Sequence, residues 1–142
     1  MSDSKPENFR LDDQIGHVLR NAYHKASAHF ARRLRSFDLK PRQFATLARL
    51  HELGPTPQNR LGETVSMPRA NIRTMVERLR ARGLVEIRAD PDDCRLRIVA
   101  LTEAGSDVVE TLIPLDIEST RDALAPLDAS EQRELYRLLR KL

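Results

Sequence analysis

Several things are scarce in this 142-residue chain. There is one cysteine, Cys94, no tryptophan, five glycines, and no long apolar run. A lone cysteine excludes an intramolecular disulfide. With so few glycines no Gly-rich phosphate loop is present, and no Gly-x-Ser-x-Gly nucleophile elbow occurs. The carboxylates are scattered over helical stretches and one loop without forming a pair, so the chain is expected to be neither an enzyme nor the holder of a cofactor. His17 and His24 are seven residues apart on one helical face, too far to share an ion without help from another segment. His29 and His51 have no ligand spacing, and no His-x-x-x-His pair exists, so no metal site is expected. No stretch can cross a membrane and no signal peptide is present, which leads to the expectation of a cytoplasmic protein without a membrane partner. Aromatic residues make up 4% of the chain, and nothing among them names a ligand.

Charge is present in quantity, and it is unevenly placed. The net charge of +3 and a pI near 9.4 are modest for a chain of one domain's length. Arginine outnumbers lysine, 20 to 4, and the arginines concentrate in Pro68–Arg82. Pro68 suits a first helical position and Gly83 a left-handed residue just past the end. Between them Ile72, Met75, Val76 and Leu79 recur at helical spacing and form an apolar face. Arg69, Arg73, Arg78, Arg80 and Arg82 stand against one acid, Glu77. A helix so built buries one side and turns the other toward a polyanion. Leu61, Val65 and Met67 supply the apolar positions of a short helix and turn before it. The pair reads as a helix–turn–helix, whose second helix enters the major groove of DNA by its first turns. Those turns carry Arg69, Ala70, Asn71, Arg73 and Thr74. Arginine suits guanine, asparagine suits adenine, and alanine or a threonine methyl suits the thymine methyl.

Two strand-forming runs follow, Leu84–Ala89 and Leu96–Leu101, around the turn residues Asp90–Arg95. They predict a β-hairpin. Thr102 is the expected N-cap of the next helix, with Glu103 in its favourable first turn.

Three motifs stand in order: Leu79–Val85 at a helix exit, Asp93-Cys94-Arg95 at the hairpin tip, and Leu101–Gly105 at a helix entry. The ordered set resembles the MarR family of winged helix-turn-helix transcription regulators, from about Leu11 to the C-terminus. Leu61-Gly62 stands where the family pattern has Leu-Ala, which is expected to loosen that helix slightly. The resemblance implies a mainly α fold with a small β-hairpin wing, flanked by long N- and C-terminal dimerisation helices. It further implies that Arg95 enters or borders the minor groove, oriented by Asp93; a narrow minor groove does attract arginine. Arg78 and Arg97 complete the expected set of DNA contacts. Cys94 is expected to be an exposed bystander at the wing tip.

The flanks supply the rest. Residues 1–8 read as a flexible tail. A helical pattern spans about 9–37 through Leu11, Ile15, Leu19, Ala22, Ala26, Phe30 and Leu34. Asp38–Pro41 breaks it, and a second helix with Phe44, Leu47 and Leu50 inward follows. Gly54–Pro57 reads as a rigid connection. The region 103–142 carries two more helices. Pro114 is expected to kink or interrupt the first of them, and Asp128–Glu131 resembles a capping box that opens the second. The winged-helix unit is expected over about 38–101, with its recognition helix at 68–82 and its wing at 84–101. The terminal helices carry more apolar surface than that unit can cover, including Leu11, Ile15, Leu135, Leu138 and Leu139. A two-fold homodimer would cover it, and would set two recognition helices on a pseudo-palindromic operator in double-stranded DNA. Arg32, Arg33, Arg35, Lys40 and Arg42 form a second basic cluster, open to two readings, phosphate contact or solvated surface. By resemblance a small aromatic or phenolic effector releases the operator, with Arg20, Tyr23, His24 and Phe44 as its expected contacts. The contrasting expectation is a winged helix that binds DNA without sequence preference, or binds protein, and has no effector.

Overall fold

A computed structural model describes residues 8–142, so the expected tail lies outside the described residues except for Asn8. The elements are α1 (Ile15–Arg35), α2 (Pro41–Leu53), β1 (Thr56–Pro57), α3 (Gln58–Thr64), α4 (Arg69–Ala81), β2 (Val85–Ala89), β3 (Arg97–Leu101), α5 (Glu103–Leu124) and α6 (Ala129–Leu139). The fold is mainly helical with a small antiparallel sheet of order β1-β3-β2. The chain divides into two compact units, residues 30–118 and residues 8–29 with 119–142.

The 30–118 unit holds the core. Phe30 and Leu34 of α1, Phe44, Leu47 and Leu50 of α2, and Leu61 of α3 meet Ile72, Val76 and Leu79 of α4. Val85, Val99, Val109 and Leu112 close the core from the sheet and α5. Of the inward positions read from helical spacing, Phe44, Leu47 and Leu50 on α2 and Ile72, Val76 and Leu79 on α4 are buried, while Met75 is half-buried against the core. Two tight turns need left-handed residues that are not glycine, Asp38 (φ 51°) between α1 and α2 and Ser66 (φ 53°) between α3 and α4. Gly83 (φ 71°) follows α4 as its sequence position suggested. The hairpin pairs Val85 with Leu101 and Ala89 with Arg97.

Two glycines act through what they leave out. A Cβ on Gly105 would run into the carbonyl oxygen of Leu84. That same oxygen accepts the Thr102 N–H at 3.1 Å, while the Thr102 hydroxyl caps α5 through the Gly105 N–H at 3.0 Å. A Cβ on Gly62 would stand 3.0 Å from Ile72 Cγ2 and from the Met67 carbonyl. Gly62 is therefore a close-packing position between α3 and α4, and not merely the loosened residue expected from helix propensity.

Four boundaries differ from the sequence reading. Helix α1 begins at Ile15 and not near Phe9: Leu11–Asp13 form a 3-10 turn, and Gln14 is extended (φ −84°, ψ 119°). Periodicity missed the break because Leu11 and Ile15 keep helical spacing across it. Pro68 (φ −57°, ψ 152°) is the residue before α4, with its carbonyl accepting the first N–H groups of the helix. Thr56-Pro57, within the expected rigid connection, forms a third strand paired to Val99 and Ile98. Pro114 does not interrupt α5, which runs unbroken from Glu103 to Leu124. The lost backbone bond is offset by Val109 and Leu112, both fully buried on the preceding turns.

In the other unit, described by itself, the Asp128 carboxylate accepts the Glu131 N–H at 2.9 Å and the Glu131 carboxylate accepts the Asp128 N–H at 3.1 Å. This is the capping box expected at the start of α6. Gln132 Nε2 donates to the carbonyls of Leu124 and Leu127 at 3.1 and 3.0 Å and ties the α5–α6 turn. No apolar side chain of this unit is buried among the described residues. Leu11, Ile15, Val18, Leu135, Leu138 and Leu139 are all exposed.

Candidate nucleic-acid interface

Helix α4 has three kinds of surface. Ile72, Val76 and Leu79 are buried and fix its roll on α2 and α3. Ala70 and Thr74 lie on the opposite, exposed side, where the Thr74 hydroxyl donates back to the Ala70 carbonyl at 3.2 Å. The crest of the helix is therefore low. Arg69 and Arg73, one turn apart, flank it on the side of the hairpin. Arg78, nine residues beyond Arg69, is about two and a half turns on and so lies on the other flank.

The hairpin-side flank is a cleft of about 410 Å³ lined by Gln58 and Asn59 of α3, Arg69, Ala70 and Arg73 of α4, and Arg95 and Arg97 of the hairpin. Neither Arg69 nor Arg73 has an acidic partner among the described residues. Two buried polar atoms on its walls, Gln58 Oε1 and Arg97 Nε, have no hydrogen-bond partner. Five of the expected contacts thus come together here: Arg69, Ala70, Arg73, Arg95 and Arg97. Asn71 is exposed on α4 but does not line this cleft.

The hairpin tip is built by its aspartates. Asp90 Oδ1 accepts the N–H groups of Asp92 and Asp93 at 2.8 and 3.3 Å, which folds the turn. Asp93 Oδ1 accepts both the Arg95 backbone N–H at 3.1 Å and its Nε–H at 3.2 Å. The Arg95 side chain is 88% exposed, so this grip aims it outward instead of burying it. Cys94 is exposed in the same tip.

Charge pairing separates arginines that look alike in sequence. Arg97 Nη2 donates to the Glu77 carboxylate, joining β3 to α4 twenty residues away, and Arg80 approaches the same carboxylate at 3.7 Å. Arg82 donates to the carbonyls of Asp38 and Phe37 at 2.5 and 2.8 Å and ties the turn after α1 to the end of α4. Arg82 therefore does not belong to the polyanion-facing set to which its charge assigned it. Arg78 lines a second groove with Arg35, Asp38, Lys40 and Arg82. Sequence reasoning had no access to the Glu77–Arg97 pair, because nothing local links the two. Gln58 and Asn59 were also missed; two polar residues right after Pro57 at a helix start were the available signal.

Of the expected effector contacts, Arg20, Tyr23 and His24 are exposed on α1, with the Tyr23 and His24 rings 5.9 Å apart. Phe44 is buried, its ring edge-on to Phe30 at 4.9 Å. Among the described residues no group of three or more His, Cys, Asp or Glu is placed to hold a metal ion. No helix of the described residues is long and apolar enough to cross a membrane.

A short helix and a tight turn, then a helix with an arginine-flanked crest, then an antiparallel hairpin with an outward arginine, define the winged helix-turn-helix class of DNA-binding protein. A sequence profile of the MarR family matches residues 37–96. The transcriptional repressor NicR of Pseudomonas putida is 37% identical over 134 residues, which cover 94% of this chain and 85% of NicR. The crystal structure of a probable transcriptional regulator from Pseudomonas aeruginosa is 46% identical with a TM-score of 0.84, covering 93% of this chain and 98% of that one. BpsR of Bordetella bronchiseptica, whose DNA binding is regulated by 6-hydroxynicotinic acid, is 30% identical with a TM-score of 0.87, covering 94% and 96% of the two chains. The chain belongs to the MarR family, and is a DNA-binding transcriptional regulator, not an enzyme.

Proposed function

We propose that this regulator is a cytoplasmic homodimeric repressor that holds a pseudo-palindromic operator and releases it when a small aromatic acid or phenol binds. The observation that carries the DNA reading is the cleft between α4 and the hairpin. Arg69 and Arg73 converge there without a counter-ion among the described residues, beside an outward-aimed Arg95. Ala70 and Thr74 let the helix approach the base edges closely. Arg69, Asn71 and Arg73 read bases or grip phosphate beside them, and Arg95 enters the minor groove under the control of Asp93. Arg97 acts through Glu77, holding the wing at a set distance from α4.

In this reading the winged helix of about 38–101 meets DNA, and the terminal helices of about 9–37 and 103–142 pair two protomers. Support for pairing comes from the unit whose described residues bury no apolar side chain. Leu11, Ile15, Leu135, Leu138 and Leu139 are its exposed apolar surface, and a second copy would cover them. Repression is supported by the likeness to NicR, and an aromatic acid effector by the likeness to BpsR. Arg20 offers a cation for a carboxylate, and Tyr23 and His24 offer rings for stacking. Phe44, packed in the core against Phe30, is not part of this proposal.

The test is binding to the protein's own upstream promoter DNA against a scrambled duplex at near-physiological salt. A preference of roughly a thousandfold or more is expected, together with release by 6-hydroxynicotinic acid or a related aromatic acid. Equal affinity for both duplexes would point to a general DNA binder, and no binding to either to a protein-interaction module. Retained binding under every acid tried would remove the effector part alone.

A further inference from the structure

The groove on the far flank of α4, away from the wing, is built from three separate elements. Arg35 ends α1, Lys40 leads into α2, and Arg78 projects from α4; all line an open groove of about 700 Å³. None of the three has a carboxylate within ion-pair distance among the described residues. The nearest acid of the groove is Asp38, in the turn between α1 and α2. With Arg82, whose guanidinium is tied to backbone carbonyls, four like charges line the groove against one acid, and among the described residues no other carboxylate lines it. The turn that carries them is nevertheless held firmly, because Arg82 grips the carbonyls of Phe37 and Asp38 from α4. The N-terminus of the thirteen-residue α2 adds the positive end of its dipole on the same side.

We propose that this groove is a phosphate-binding surface for the second strand of the operator. The inference rests on the reading of α4 as the helix that enters DNA, and extends it. A helix with side chains is about 10–12 Å across, and the major groove is about 12 Å wide. An inserted α4 therefore meets both backbones that wall the groove. The wing-side flank offers Arg69 and Arg73 to one of them, while Arg95 of the wing reaches the neighbouring minor groove. The far flank offers Arg78, Lys40 and Arg35 to the other. The two flanks differ in kind: the wing side lies beside the base-reading turns, whereas the far side sits late on α4 and on the α1–α2 turn. Its contribution is affinity and register, without sequence preference.

On this reading part of the basic cluster at the first helix junction takes the phosphate role. Lys40 and Arg35 belong to the groove. Arg33 instead pairs with Glu118 at 3.2 Å and does not.

The experiment is a salt titration of operator affinity for the full-length protein and for the exposed substitutions Lys40→Gln and Arg78→Gln, singly and together. Arg121→Gln on α5 serves as a charge-matched control, and thermal melts establish that each variant is folded. Each phosphate contact removed should flatten the slope of log affinity against log salt by about 0.9 per DNA-bound subunit. The double variant is expected to lose about twice that, to keep its preference for operator over scrambled DNA, and to lose the interference caused by ethylating phosphates on one strand of each half-site. Arg121→Gln should change neither slope nor interference. An unchanged slope in a folded double variant, with the wild type still binding operator, overturns the groove but leaves the recognition helix standing. A collapse of operator preference along with the slope also overturns it, since Arg78 would then be reading a base. Failure of the wild type to bind any duplex would overturn both readings.

Discussion

Single residues in this protein are chosen as much for the atoms they omit as for those they carry. Gly105 sits where any Cβ would strike the Leu84 carbonyl, at the joint between the hairpin and α5. Gly105→Ala should therefore destabilise the fold by roughly 1–3 kcal/mol or more, as overpacking does. Gly16, with open space around it in the first turn of α1, provides the contrast. Gly16→Ala should be neutral or stabilising by up to about 1 kcal/mol from helix propensity, and paired denaturation curves would check both signs. Glu77 is the one acid on α4, and it holds Arg97 and Arg80. In Glu77→Gln both arginines are released next to the DNA-facing cleft. Affinity for scrambled DNA should rise a few-fold while the operator-to-scrambled ratio falls. A ratio equal to that of the wild type would reduce the pair to ordinary surface charge.

At the level of elements, α4 and the wing divide the work. The buried stripe of Ile72, Val76 and Leu79 sets the roll of α4, and that roll decides which arginines face the wing and which face the α1–α2 turn. Arg73→Ala should cost roughly 1–3 kcal/mol of operator binding and relax preference at one base pair if it reads that base. Equal losses on operator and random DNA would make it a phosphate contact. The wing depends on two small devices, the Asp90 turn and the Asp93 grip on Arg95. Arg95→Ala removes an exposed side chain held by Asp93. It should sharply weaken operator binding with no change in melting temperature; a parallel loss of stability would show that Arg95 supports the fold instead.

At the level of the whole molecule, one unit has a full core, and the described residues of the other bury no apolar side chain. The 30–118 unit buries aliphatic side chains from every one of its helices. The unit of 8–29 and 119–142 leaves Ile15 63% exposed and Leu138 47% exposed, which is expensive surface to leave wet. Leu135→Glu with Leu138→Glu should give monomers by sedimentation, with much weaker operator binding, since two half-sites would no longer be held at one spacing. A stable monomer that binds operator as well as the wild type would contradict the paired architecture.

Local pattern sufficed wherever a residue's role depends on near neighbours. Helical spacing identified the buried faces of α2 and α4, turn chemistry identified the hairpin and Gly83, and the Asp128–Glu131 capping box was readable as written. The Asp93–Arg95 grip was expected from the family resemblance, and its two-residue span made it checkable within the turn. Tertiary structure decided whatever joins distant segments. The Thr56-Pro57 strand exists because Val99 and Ile98 offer it an edge, and a two-residue strand has no period to read. Gly62 looked like a propensity defect until Ile72 was seen against it. The arginines of α4 are the clearest case. In sequence they are one charge cluster; in the fold Arg82 ties the turn after α1, Arg80 and Arg97 share Glu77, and Arg78 faces away from Arg69 and Arg73. Charge can be counted along a chain, but the partner that neutralises it is set by which elements pack together, and that packing is a property of the whole core.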